Sequence, residues 1–196
     1  MIAWINVAVM FVTAILTLFY YVKSVGPAAL EKKIGEKAYK KCTRYRLIAS
    51  ILMTINFAGY VVYFFYPLPI DFPVVFPWDY WISLLIAVII AVPSGYIWFR
   101  GVKDAGEETM NVKKEHTMYS GIYKKMRHPQ AVGELPFAWV IAFLLHSPFL
   151  FLFSFLWAIT FYFMCRAEEK DLVIRYGEKY VEYMEKTGFF FPKRNK

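Results

Sequence analysis

Five long runs of apolar residues divide the chain, and prolines or charged clusters bound each of them. They lie at about residues 2–22, 47–66, 81–99, 131–145 and 149–165. A helix rises about 1.5 Å per residue, so roughly twenty apolar residues cross a bilayer core of about 30 Å. The pattern therefore predicts an all-α integral membrane protein with five transmembrane helices. Only His146, Ser147 and Pro148 join the last two runs, which predicts an antiparallel helical hairpin.

The basic residues predict how these helices are oriented. All 23 lysines and arginines fall in three segments, residues 23–46, 100–130 and 166–196. Cytoplasmic loops of membrane proteins carry an excess of these residues. We therefore predict that the N-terminus is outside and the C-terminus inside. This distribution accounts for the net charge of +8 without a nucleic-acid partner. The membrane would be the cell membrane in a prokaryote and the endoplasmic reticulum in a eukaryote.

The composition agrees with a single membrane domain over residues 1–196. Hydrophobic residues make up 59% of the chain, against about 45–50% in a typical soluble domain. The first apolar run has no basic residues before it and no small-residue cleavage site after it. It is therefore interpreted as a retained helix rather than a removed signal peptide. Cys42 and Cys165 lack metal-type spacing, so neither a metal site nor a disulfide framework is predicted.

The first stretch with candidate chemistry precedes the fourth apolar run and contains Arg127, His128 and Pro129. Proline suits the first turn of a helix, where free N–H groups and a partial positive charge attract an anion. Arg127 adds donors that grip a carboxylate or a phosphate at two points. Alternatively, these basic residues only contact lipid head groups. Glu134 lies within the apolar run, where a carboxylate is costly and usually faces a cavity or a partner.

A second polar stretch follows the last apolar run and contains Arg166, Glu168 and Glu169. If the hairpin folds the two stretches together, the acidic pair faces the Arg-His pair in a pocket that carries both charges. Alternatively, the acidic residues occupy the first turn of a surface helix and complement its dipole. Apolar residues and tyrosines then recur at helical spacing over residues 172–184, which predicts a C-terminal amphipathic helix on the cytoplasmic side.

The two stretches together resemble the isoprenylcysteine carboxyl methyltransferase family and the related phospholipid methyltransferases. The resemblance covers about the last eighty residues, where short motifs follow the family's order around a hairpin of matching size. These motifs are Gly121-Ile122-Tyr123, Arg127-His128-Pro129, Gly133, Glu168-Glu169, Tyr176-Gly177-Glu178-Lys179-Tyr180, Tyr183 and Pro192. The chain departs from the pattern at Ala131, where the family usually has an aromatic residue, and in the additional Glu134.

The resemblance implies S-adenosyl-L-methionine as the cofactor and residues 117–192 as the part that binds it. The residues that it assigns to the cofactor are Tyr123, Arg127, His128, Gly133, Glu168, Glu169 and Tyr180. By analogy, Arg127 and His128 hold the methionine carboxylate end, and Tyr180 and the acidic pair lie at the ribose or amino side. The resemblance also implies that Arg166 orients an acidic acceptor.

The predicted function is that of an integral membrane methyltransferase that uses S-adenosyl-L-methionine. The expected reaction is carboxyl methylation of an isoprenylcysteine or a similar lipid-like acceptor that enters from the bilayer. A carboxylate acceptor needs no general base because it is ionised at neutral pH. An amine or thiol acceptor needs one, and Glu134 is then the candidate. The alternatives are a phospholipid amine methyltransferase, a nicotinamide-dependent membrane reductase and a non-catalytic membrane protein.

Overall fold

The computed structural model describes residues 1–112, 114 and 120–193, excluding the side chains of residues 107 and 108. Seven α-helices account for most of this described part. They are α1 Ile2–Ser24, α2 Pro27–Ile34, α3 Lys37–Phe65, α4 Tyr80–Ala105, α5 Pro129–Leu144, α6 Pro148–Tyr176 and α7 Glu178–Lys186. Two 3₁₀ turns, Gly106–Thr109 and Gly121–Lys124, lie between α4 and α5. Over the same residues there is no β-strand, only an isolated bridge between Met126 and Gly188.

Four helices, α1, α3, α4 and α6, are long and apolar enough to cross a membrane. The fifth predicted span corresponds to α5, which is apolar but has 16 residues. At 1.5 Å per residue it measures about 24 Å, short of a bilayer core of about 30 Å. The prediction of an all-helical, multi-pass membrane protein is therefore confirmed. The count of five spans and the orientation remain predictions.

The helix boundaries differ from the apolar runs mainly at α3 and α6. Helix α3 begins at Lys37, well before the apolar run, and α6 continues past Cys165 to Tyr176. Neither proline nor glycine interrupts residues 165–176, so the last apolar run and the following polar stretch form one helix. Gly177, at φ 56°, ends α6 in a backbone conformation that glycine adopts without strain. The predicted amphipathic segment is thus divided between the end of α6 and α7.

The helices pack as two pairs joined by α6. Helix α1 lies along α3, α4 lies along α5, and α6 contacts both α1 and α5. The first pair approaches closely at Gly59, whose carbonyl accepts a hydrogen bond from the Asn6 amide at 2.9 Å. Trp157 of α6 is fully buried and stacks on Phe57 of α3, with ring centroids 5.3 Å apart. Helix α6 therefore sets the relative position of the two pairs.

The hairpin turn lies at the far end of α5 from Pro129. The ring nitrogen Nδ1 of His146 lies 2.7 Å from the Ser83 hydroxyl, which also accepts a hydrogen bond from the Trp78 indole at 3.0 Å. The Phe76 ring stacks on Trp78, with centroids 4.5 Å apart. These contacts fasten the proline-rich connection between α3 and α4 to the hairpin. His146, for which the sequence suggested no role, thus has a structural one.

Candidate functional site

A cavity of about 230 Å³ lies beside the amino end of α5. Helices α1, α3, α4, α5 and α6 all contribute to its wall, together with the two 3₁₀ turns. The wall combines charged and hydrogen-bonding side chains with apolar ones. Its main polar residues are Tyr21, Arg46, Tyr123, Arg127, His128, Gln130, Glu134 and Glu168. Its main apolar residues are Met53, Trp98, Ala131, Phe161, Met164 and Cys165.

The local sequence explains why the chain turns into α5 here. Gly121 begins a 3₁₀ turn at φ 55°, and an added Cβ atom there would meet the Asp104 carboxylate. That carboxylate accepts a hydrogen bond from the Ile122 backbone N–H at 2.7 Å. Pro129 then occupies the first turn of α5, where its missing N–H costs nothing. The polar stretch is therefore fixed to the end of α4 before the chain enters the helix.

Arg127 connects the start of α5 to the C-terminal part of the chain. Its Nε atom donates to Glu169 Oε1 at 2.6 Å, and its Nη1 atom donates to the carbonyls of Met184 and Thr187 at 2.9 and 2.6 Å. The Arg127 backbone N–H donates to the Gly188 carbonyl at 2.9 Å. Arg127 therefore holds the segment after α7 in place while it also borders the cavity.

His128 lies between the two predicted acidic residues. Its Nδ1 atom is 3.6 Å from Glu168 Oε2, and its Nε2 atom is 3.3 Å from Glu169 Oε1. Burial disfavours the charged ring, but the nearby Cys165 sulfur and the two carboxylates outweigh it and hold the pKa of His128 well above its ordinary value. The raised pKa favours the protonated ring, which carries positive charge at the cavity wall.

The two neighbouring glutamates have different surroundings. Glu168 borders the cavity, and its side chain is 23% exposed. Glu169 is 3% exposed and lies behind the wall, where its second oxygen accepts a hydrogen bond from Arg166 Nη1 at 3.1 Å. Arg166 is half-exposed and does not contribute to the cavity wall. The structure thus brings Glu168 to the cavity and places Glu169 among cations.

Glu134 borders the cavity about one and a half turns into α5. Within the described part of the chain, no hydrogen-bond or ion-pair partner contacts its carboxylate. A carboxylate in these surroundings is costly unless a ligand, a proton or water satisfies it. Glu134 is therefore a group on which a bound molecule can act.

Gly133 and Tyr180 lie outside the cavity wall. A Cβ atom on Gly133 would overlap the Trp98 backbone nitrogen, so this glycine permits the close approach of α4 and α5. Tyr180 is 1% exposed and packs with Tyr123 and Leu172. The structure therefore places these two residues in the packing around the cavity. Residues 117–119 of the predicted cofactor-binding part, like His116, lie outside the described residues.

Sequence reasoning did not identify several residues that build the wall. Gln130 contacts three acceptors through its amide nitrogen, the Gly101 carbonyl at 3.3 Å, the Thr109 hydroxyl at 3.2 Å and the Tyr123 hydroxyl at 3.0 Å. It thereby joins the start of α5 to the end of α4 and to both 3₁₀ turns. Tyr21 and Arg46 come from α1 and α3, which carry no recognisable motif. Their only signal was a position at the edge of an apolar run.

The fold and the cavity define a multi-pass membrane protein with a charged cavity among its helices. Within the described residues there is no cluster of histidine, cysteine and acidic side chains that could hold a metal ion. A family model, phospholipid methyltransferase, matches residues 83–179, about half of the chain. The chain belongs to this methyltransferase family, whose members generally use S-adenosyl-L-methionine, and the predicted resemblance is confirmed. No curated protein and no solved structure matches the chain.

Proposed function

We propose that the protein is a membrane methyltransferase that binds S-adenosyl-L-methionine in the cavity beside α5 and methylates a lipid-like acceptor. The observation that carries this proposal is the position of the family's motifs. Residues from both polar stretches, Arg127, His128 and Glu168, border one cavity that also has an apolar wall. A cofactor with an amino acid end, a ribose and a sulfonium needs donors, acceptors and apolar surface, and this wall offers all three.

The cofactor would be held mainly by the amino end of α5 and by the last third of α6, which carries Glu168. The imidazolium of His128 would attract the cofactor's carboxylate, and the amino end of α5 adds its partial positive charge. Glu168 would accept hydrogen bonds from the ribose or from the amino group. Gly133 and Tyr180 would act indirectly, by fixing the helices around the site. When bound, the cofactor supplies an activated methyl group on its sulfonium, and the apolar residues Phe161 and Met164 exclude water from the reacting groups.

The proposed topology has five spans, with the N-terminus outside and the C-terminus inside. The described helices support it, because four are long enough to span a bilayer and α5 forms a hairpin with α6. Each of the three segments that contain all the basic residues contributes to the cavity wall, through Arg46, Arg127 and Glu168 respectively. With this orientation the cofactor would reach the cavity from the cytoplasm. The acceptor would reach it sideways from the bilayer.

Two acceptor classes follow from the charges at the site. Carboxyl methylation of an isoprenylcysteine-like acceptor is the first, with Arg166 as the residue that orients the acid. Arg166 pairs with Glu169 and lies away from the cavity wall, which favours the second class, an amine such as a phospholipid head group. Glu134 and Glu168 both border the cavity and would attract a cationic amine. Glu134 would then remove its proton before methyl transfer.

Binding of S-adenosylhomocysteine to the full-length protein in detergent tests the cofactor assignment. Isothermal titration should show that S-adenosylhomocysteine binds the wild type saturably and that NADPH does not bind. Glu168→Gln should weaken the affinity by about tenfold to a hundredfold, as expected for a lost charged hydrogen bond. The exposed Glu182→Gln change on α7 is the matched control. Binding of NADPH alone, or equal affinity in both variants and the wild type, would contradict the assignment.

Transfer of a radiolabelled methyl group tests the acceptor class. The protein should be supplied in parallel with N-acetyl-S-farnesylcysteine and with vesicles that contain phosphatidylethanolamine. Glu134→Gln should abolish transfer to an amine acceptor, which needs a base, and should affect transfer to a carboxylate acceptor much less. Label in the farnesylated compound, at a rate that Glu134→Gln leaves unchanged, would favour carboxyl methylation.

A further inference from the structure

One side of the cavity comes from helices that the family match does not cover. Helix α3 contributes Arg46, Ala49, Ser50 and Met53. Their spacing of three and four residues places them on one face of the helix. Helix α1 adds Thr17 and Tyr21, one turn apart. The family model begins at residue 83, so this wall lies outside the residues that the family match covers.

Arg46 is the charged residue of this wall, and its position is well defined. Its Nη1 atom donates to the Thr109 carbonyl at 3.2 Å, and its guanidinium lies 5.9 Å from the centre of the Tyr21 ring. The apolar run of α3 begins at the next residue, Leu47. Arg46 is therefore placed at the boundary between the polar end of the bundle and the apolar span, at the depth where lipid head groups lie.

The two cations of the Arg-His motif are already engaged by the protein. Arg127 donates to Glu169 and to two backbone carbonyls, and His128 lies between Glu168 and Glu169. An anion that binds at this end of α5 shares its cations with two carboxylates. A second anionic group, on a second substrate, would compete for these cations. Arg46 on α3 adds a further cation to the wall, and like the other two it is held by contacts within the protein.

We propose that Arg46 binds the acidic group of the lipid acceptor, a carboxylate or a phosphate, and thereby selects the acceptor class. This inference rests on the proposed function. A guanidinium recognises both groups through parallel N–H bonds, and the bond to Thr109 together with the Tyr21 ring limits its motion. The acyl or prenyl chain of such an acceptor would extend from Arg46 toward the bilayer along the apolar part of α3.

Paired lipid probes that differ only in the acidic group test this inference. The full-length protein in detergent, saturated with S-adenosylhomocysteine, is titrated with phosphatidic acid and with diacylglycerol. A second pair is S-farnesylthioacetic acid and its amide. The wild type should bind at least one acid about tenfold to a hundredfold more tightly than its uncharged counterpart, the range of a charge-assisted hydrogen bond. The pair that shows the preference distinguishes phosphate from carboxylate.

Arg46→Gln should lose this preference while its affinity for S-adenosylhomocysteine stays within about threefold of the wild type, since Arg46 comes from α3 and the residues assigned to the cofactor, His128 and Glu168, do not. Arg44→Gln is the matched control, because Arg44 lies on the same helix, is exposed and does not border the cavity. Arg46→Lys keeps the positive charge but lacks the parallel N–H donors of a guanidinium, so it should retain part of the preference. It is used in place of Arg46→Gln if that variant does not fold.

Three results would overturn the inference. The first is a wild type that binds acid and neutral probes equally, and the second is an Arg46→Gln variant that keeps the preference. In the third case Arg46→Gln weakens S-adenosylhomocysteine binding instead, which would assign the residue to the cofactor's carboxylate. Failure of the proposed function is a separate result, since the wild type would then not bind S-adenosylhomocysteine at all.

Discussion

Replacing Glu169 with alanine should destabilise the fold, whereas the same change at the adjacent Glu168 should mainly weaken cofactor binding. Glu169 is 3% exposed and pairs with Arg127, which is 8% exposed, at 2.6 Å. It also contacts His128 and Arg166. Removing one partner of a buried ion pair costs about 3–5 kcal/mol, because the other charge stays buried without compensation. For a chain of this size that corresponds to a fall in melting temperature of roughly 6–20 °C.

The assay uses the two cysteines of the chain, Cys42 and Cys165, both free and buried. A maleimide dye that fluoresces on reaction with thiols therefore reports unfolding of the purified protein in detergent. Glu182→Ala is the control, since its pair with Lys186 is largely exposed and such pairs contribute little. A Glu169→Ala protein that melts within about 2 °C of the wild type, less than 1 kcal/mol by the same conversion, would refute the reasoning. A Glu168→Ala protein whose melting temperature is as low as that of Glu169→Ala would also refute it.

Three further predictions follow from single contacts. Gly133→Ala should destabilise by about 1–3 kcal/mol in thermal melts, because its Cβ atom would overlap the backbone of Trp98, and Gly95→Ala, with nothing within 4 Å of the added atom, should not. The pKa of His128 is raised, so the stability that its charge contributes is fully present below the ordinary histidine pKa and is lost as pH rises through the pKa of the folded protein. The melting temperature of the wild type should therefore fall at alkaline pH. That of His128→Gln should not show this loss. Gln130→Leu should weaken S-adenosylhomocysteine binding in titrations, because the two 3₁₀ turns at the cavity lose their shared donor, and unchanged affinity would contradict that role.

The architecture was largely predictable because it depends on composition along the chain. Long apolar runs become helices in a membrane, since every backbone polar group must be satisfied internally. The short connection from His146 to Pro148 left no path except a hairpin, and α5 and α6 form it. Pro129 marked the start of α5 for a local reason, its fixed φ angle and missing N–H.

The division of roles within the site was not predictable in the same way. The sequence placed Glu168 and Glu169 together, but neighbours on a helix point about 100° apart, so one reaches the cavity and the other reaches Arg127. The rotation of α6 about its own axis decides which of the two glutamates reaches the cavity. That rotation depends on the packing of Trp157 and its neighbours against α3 and α5.

Tertiary structure alone also decided which distant residues join the motifs. Arg127 donates to the carbonyls of Met184 and Thr187, and no sequence pattern marks a carbonyl as an acceptor. Arg46 and Tyr21 border the cavity because α1 packs beside both α3 and α6, which brings together residues far apart in the chain. Local periodicity thus determined the helices and the stretches with charge. Long-range packing determined which of those charges face a common cavity.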